Sequence, residues 1–337
     1  MVEREGFVIR CESETGDIGW GEASPHPGYT RECTADAERS LRRIPSSLPT
    51  REIHVDEILS GSLATIFPAA TRSVLFGLET ACLNLLAGRN RGFRNLLSED
   101  SSGKIFVNGL LPSLFMPSEA EPATWAANGM RVIKCKVGRG EVDREREWIR
   151  SLADMLPPEM KLRLDANRGW SLAEATAFCE GLPPGIVEYV EEPLREISEL
   201  TELAKRTDVP IALDETVQEM GEAAFELGIT PAAMVLKPGA LRGISAAIMF
   251  GRKAIECGAQ PVVSSLYESG LGMLALAQLA AFLGGDRVSC GLDTHRVLKE
   301  DTLVPRFSPS GWEWDLEEMD AMGFSIRENI GEELSGG

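Results

Sequence analysis

RVIKCKVG, residues 131–138, is a short apolar run carrying two lysines, and four more runs of this kind follow: KLRLDAN (161–167), VEYVEEP (187–193), PIALDET (210–216) and AAMVLKPG (232–239). Chemistry-bearing residues sit at or near the end of each: Lys134 and Lys136, Asp165 and Asn167, Glu191, Asp214, and Lys237. From Lys136 onward they recur every 23 to 29 residues. One strand plus one helix of a (β/α)8 barrel takes roughly 30 residues, and barrel enzymes carry catalytic groups at the C-terminal strand ends. The interval therefore predicts that three acids and facing lysines converge on one mouth.

Outward from this stretch the beat continues. Runs at 104–112, 131–138, 161–167, 187–192, 210–214, 233–237, 260–265 and 287–292 make eight, with amphipathic segments between most of them. That pattern predicts an α/β chain whose parallel strands close into a TIM-like barrel over residues 101–305. Residues 1–100 differ. GFVIRCES and DIGWGEASP read as two strands about a turn at Thr15-Gly16, and SVLFGLETACLNLLAG reads as a helix closing at Gly88. This is an α+β segment, and the Pro-, Gly- and Trp-rich stretch 306–337 is expected to run back over it.

The 337 residues carry 34 Lys+Arg against 52 Asp+Glu, a net charge of −18 without a basic run. Such a field repels nucleic acid and anionic membrane surfaces, yet a local lysine cluster still admits a small anionic carboxylate substrate. Seven scattered cysteines without a C-x-x-C read as reduced thiols, and no apolar stretch approaches a membrane span, so a cytoplasmic protein is expected. Three separated histidines argue against a zinc hydrolase. The composition leaves oligomeric state open.

Residues two apart on a strand share a face, so Lys134 and Lys136 point together into the barrel, as do Arg163, Asp165 and Asn167. Neighbouring ammoniums disfavour each other, which predicts a lowered pKa for at least one lysine, as a general base needs. A lone K-x-K would otherwise be a solvated strand end, and each acid alone could be a helix N-cap. Asp165, Glu191 and Asp214 on three successive strands instead predict an oxygen site for Mg2+. Glu192 and Glu215 have the opposite parity and are expected to support that site from behind. Lys237, among Val, Leu and Ala, must meet an anion or a functional cavity.

These residues resemble the enolase superfamily over nearly the whole chain. K-x-K, D-x-N, E-[EQ]-P, D-E and K-P on strands two to six are similar to its muconate-cycloisomerase-like subgroup. The resemblance implies a (β/α)7β barrel under an α+β cap, with Mg2+ on Asp165, Glu191 and Asp214 and a lysine base removing a proton α to a carboxylate. Within the subgroup, GWGEASPHPGYTRE (19–32), RLDANRGWS (163–171), SSLYESGLG (264–272) and CGLDT (290–294) resemble the o-succinylbenzoate synthase family. That family dehydrates a succinyl-bearing cyclohexadiene carboxylate. The resemblance implies that Lys136 removes the proton and assists loss of hydroxide, with Lys237 cationic on the other face. It places Ser264, Ser265, Glu268, Ser269 and Gly270 at the succinyl end, Asn167 in the substrate site and Arg163 beside Lys136. It makes 19–32 a loop over the mouth, punctuated by Gly21, Pro25 and Gly28, with His26 facing solvent where leucine is common. The family pattern has one more strand and a mobile loop ahead of Gly6-Phe7. Racemases and dipeptide epimerases share the two-lysine core, so the motifs alone leave 1,1-proton transfer open. Dipeptide epimerases tend to carry a D-x-D near strand eight, where CGLDTH has one acid. A silent scaffold would have lost a ligand or lysine, and none is lost.

Overall fold

Two strands open the chain, β1 (Phe7–Glu12) and β2 (Ile18–Ala23), paired antiparallel with Gly16 at φ +86° in their turn. A long helix, Arg72–Ala87, lies against β2 and ends at Gly88. Contact is close enough to need glycine: a Cβ on Gly21 would lie 1.9 Å from the Gly77 carbonyl oxygen. Gly21 is therefore a packing residue inside β2 rather than loop punctuation. The computed structural model describes residues 4–45, 53–88, 91–328 and 331. The other parts of the expected cap and C-terminal stretch lie outside the described residues.

The run 104–112 is two strands, β3 (Lys104–Val107) and β4 (Gly109–Leu111), broken at Asn108. Then come β5 (Val132–Lys136), β6 (Lys161–Asp165), β7 (Val187–Glu191), β8 (Ile211–Leu213), β9 (Ala233–Leu236) and β10 (Gln260–Val263). β4 to β10 pair in sequence order as one parallel seven-stranded sheet. β11 (Ser289–Cys290) pairs parallel with β3. Gly291 bridges to Ser264, its N–H donating to the Val263 carbonyl, and the Asn108 N–H donates to Cys290. These bonds complete the ring. The break at Asn108 lets the first strand serve both neighbours, β11 below and β5 above.

Helices between the strands bury their inward stripes. Val142–Met155 buries Trp148, Ile149, Leu152 and Ala153, while its buried Glu145 accepts the N–H groups of Gly138, Arg139 and Gly140 and so fixes the turn leaving β5. Inside the ring, Tyr189, Ala212, Ala233, Val235 and Val262 form a separate apolar layer beneath the mouth. After β12 (Leu303–Val304) the chain returns as β13 (Glu313–Asp315), antiparallel on β3, and β14 (Ser325–Ile326) pairs with β12. All seven cysteines are free, and among the described residues no helix is long and apolar enough to cross a membrane.

One buried acid joins helix Arg72–Ala87 to the barrel. Glu79, fully buried, accepts from the Ser245 N–H (2.9 Å) and hydroxyl (2.5 Å) at the start of helix Ile244–Glu256. Burial pushes its carboxyl up to about 7, against the pull of those hydrogen bonds. A pKa raised on folding gives a contribution present at low pH and lost as pH rises through about 7. Stability should therefore fall between about pH 4.5 and 7 more steeply in the wild type than in Glu79→Gln, read from melting temperatures across that range.

Candidate active site

Parallel register sets the site. Lys136 pairs with Asp165, and Asp165 with Glu191, so the side chains stand abreast on three neighbouring strands. Asp214 follows β8 directly, and Lys237 follows β9. All three carboxylates are at most 1% exposed. The turns that present them are strained: Asn167, Arg168 and Glu192 have φ of 42°, 60° and 42°. Glu192 holds this geometry from behind. Its carboxylate accepts the N–H groups of Asp214 and Thr216 (both 2.7 Å), the Thr216 hydroxyl and Arg168 Nε.

Three ammoniums meet the three acids. Lys134 Nζ lies 2.6 Å from Glu191 and 2.8 Å from Asp165. Lys136 Nζ donates to Asp165 and to Asn167 Oδ1, both at 2.6 Å, and Asn167 Nδ2 donates to Glu215 at 3.0 Å. Lys237 pairs with Asp214 of the neighbouring strand end. β5 and β9 are four strands apart, which puts Lys136 and Lys237 on opposite walls.

The titration pattern follows from crowding. Burial alone would push the Lys134 ammonium down, but Asp165 and Glu191 hold it well above its usual value. For Lys237, burial again opposes and Asp214 wins, raising it. The expected lowering by lysine–lysine repulsion is therefore not found at Lys134, which has Asp165 and Glu191 at 2.8 and 2.6 Å. Burial disfavours an ionised Asp165, yet Lys134 and Lys136 hold its carboxyl well below the usual range. Glu191 stands between the other two acids, and burial followed by the Asp165 charge pushes it up to about 8. Glu215 is raised to about 7 by burial and then Asp214.

Buried carboxylates alone, with no His or Cys beside them, suit a hard divalent cation. With lysines seated on their oxygens, the described residues hold no group of three His, Cys, Asp or Glu in place for a metal ion. Lys134 competes for the oxygens of Asp165 and Glu191, so coordination there requires its ammonium to withdraw.

The residues expected at the succinyl end lie together after β10, but each is engaged within the protein. The Ser264 hydroxyl donates to Gly291, Ser265 bonds Thr294, and the Glu268 carboxylate accepts the Leu266 N–H. The Ser269 N–H and hydroxyl go to Glu22, and the Gly270 N–H to Asp301. Among the described residues no hydrogen bond joins them to the lysine–carboxylate cluster. Arg163 faces inward, but its guanidinium bonds Glu188 (2.7 Å) and the Ser289 carbonyl (2.6 Å) and lies over Tyr189. It is a floor residue and makes no bond to Lys136. His26 is half-buried between the rings of Tyr29 and Tyr267 rather than facing solvent.

Sequence reading missed two residues of the 19–32 stretch, one in β2 and one in the loop after it. Glu22, 4% exposed, caps helix Gly270–Leu283 through Ser269 and Gly272. Tyr29 reaches into the barrel, where its hydroxyl donates to Asp214 at 2.8 Å. Burial, then the Asp214 charge, hold that phenol well above its usual range, so it stays a donor. An aromatic beside a Pro-Gly turn was the available signal, and it says nothing of a contact 185 residues away.

Residues 117–329 match the family model described as Enolase C-terminal domain-like. An o-succinylbenzoate synthase of Pectobacterium atrosepticum is 31% identical over 90% of this chain and 86% of its own length. A substrate-liganded L-Ala-D/L-Glu epimerase from Bacillus subtilis superposes with a TM-score of 0.76 at 23% identity, covering 96% of this chain and 89% of that one. An enolase-superfamily member from Roseovarius nubinhibens, solved with magnesium, gives 0.74 at 20%, covering 89% and 82%. Barrel, cap and strand-end acids thus coincide with a match over nine-tenths of the chain, and the chain is an enzyme of the enolase superfamily, related to the o-succinylbenzoate synthases.

Proposed function

We propose that the chain is an o-succinylbenzoate synthase, a Mg2+-dependent hydro-lyase that carries out syn-dehydration of 2-succinyl-6-hydroxy-2,4-cyclohexadiene-1-carboxylate in menaquinone biosynthesis. The observation that supports proton abstraction α to a carboxylate is the pair of lysines on opposite walls, Lys136 with Asp165 and Lys237 with Asp214, around buried carboxylates. The synthase relative, matched across nine-tenths of the chain, supports this substrate over others. In this reading residues 1–100 form the cap, residues 101–305 form the barrel, the stretch 306–337 returns with β13 on barrel strand β3, and the enzyme works in the cytoplasm.

Asp165, Glu191 and Asp214 would hold Mg2+, which when bound supplies positive charge to the substrate carboxylate as its α-proton leaves. Lys136, as the free amine, takes that proton. The C–H electrons pass into the ring, the C–O bond on the same face breaks, and the protonated Lys136 gives its proton to the departing hydroxide as water. Lys237 remains an ammonium on the far face, where it balances the negative charge that develops. Asn167 keeps Lys136 aimed, with Glu215 behind it. Glu192 fixes the backbone of Asp214.

A second reading, N-succinyl amino acid racemase or dipeptide epimerase, is favoured by the epimerase that shares the fold. Against a free α-ammonium substrate stands Asp293, the acid of CGLDTH. Its carboxylate already accepts the Leu110 N–H and lies 2.8 Å from Arg296. The deciding assay supplies purified enzyme and Mg2+ with the diene carboxylate. Appearance of the aromatic product is expected, whereas no product together with racemisation of N-succinyl amino acids would overturn the lyase reading.

A further inference from the structure

The Tyr29 hydroxyl has one proton and two lone pairs, and all three are used inside the barrel. It donates to Asp214, accepts from Gln218 Nε2 at 2.6 Å, and accepts from Lys237 Nζ. The Lys237 ammonium also lies 4.2 Å from the Tyr29 ring centroid. Two of the three N–H bonds of Lys237 are thus committed, to Tyr29 and to Asp214. Tyr29 comes from the loop after β2, so an element outside the barrel holds the second lysine.

We propose that Tyr29 is a positioning residue that clamps Lys237 as a fixed cation and thereby sets the reaction's outcome. This rests on the lyase reading above. Dehydration asks Lys237 only to stay charged on its wall while Lys136 moves the proton. A 1,1-proton transfer asks Lys237 to reach the substrate's α-carbon and exchange a proton with it. Holding the ammonium between a phenol and a carboxylate favours the first and hinders the second.

Tyr29→Phe isolates the claim, because it keeps the ring over Lys237 and removes only the hydroxyl. Loss of one hydrogen bond to a charged group predicts a fall in dehydration kcat of about tenfold, with KM little changed. The ratio of N-succinyl amino acid racemisation to dehydration should rise. Amide hydrogen exchange at residues 26–32 should quicken in the substrate-free enzyme while the melting temperature holds. Unchanged exchange there, or an unchanged ratio of the two activities, would overturn the clamp. A parallel loss of melting temperature and of both activities would also overturn it, by making Tyr29 merely structural. If wild-type enzyme makes no aromatic product, the lyase reading fails by itself, and the exchange measurement still decides whether the hydroxyl holds the loop.

Discussion

Lys136→Ala should lower dehydration turnover by about ten-thousand-fold while leaving affinity for a divalent cation nearly unchanged. One amine serves twice in the proposed reaction, first as base and then as acid to the departing hydroxide, so its loss removes both halves. Lys136 is also the lysine best placed to move. Its side chain is 34% exposed, against 11% for Lys134 and 10% for Lys237. The fold should tolerate the change, because Asp165 keeps Lys134 as counter-ion at 2.8 Å. Steady-state kinetics, a metal titration and a thermal melt separate these effects. Substantial remaining turnover would remove Lys136 as the base.

Asp214→Asn should damage the enzyme twice over. It removes one of the proposed magnesium oxygens, so cation affinity and activity should drop together. It also leaves the Lys237 ammonium, 10% exposed, without its carboxylate. Breaking one partner of a buried ion pair costs about 3 kcal/mol or more, which a melt will register. A double variant, Asp214→Asn with Lys237→Met, removes the uncompensated charge and should recover much of that stability without recovering activity. Metal binding unaffected by Asp214→Asn would contradict the assignment of Asp214 as a ligand.

The barrel was legible because its signal is local and repeated. Alternate residues of a strand share a face, so Asp165 beside Lys136 and Glu191 beside Asp165 followed from counting alone. Helix Arg72–Ala87 and its end at Gly88 were equally plain from 3–4 spacing. What escaped depends on distant partners. The run 104–112 reads as one strand because nothing in it records that Asn108 hands pairing from β11 to β5. Gly21 reads as a turn until Gly77 is packed against it. Ser269 and Gly270 open a helix, a place where an anionic substrate group is readily imagined, but Glu22 and Asp301 from elsewhere in the chain already occupy those N–H groups. The direction at Lys134 escaped for a related reason. Counting like charges on β5 found the repulsion, while the attraction comes from β6, β7 and the end of β8.

Crystals soaked in Mn2+, with anomalous diffraction recorded near the manganese edge, test the central claim directly. One strong peak is expected at about 2.0–2.3 Å from oxygens of Asp165, Glu191 and Asp214 together, with the Lys134 ammonium drawn back from Asp165 and Glu191. A map without a peak at those carboxylates, with Lys134 still seated between them, would contradict it.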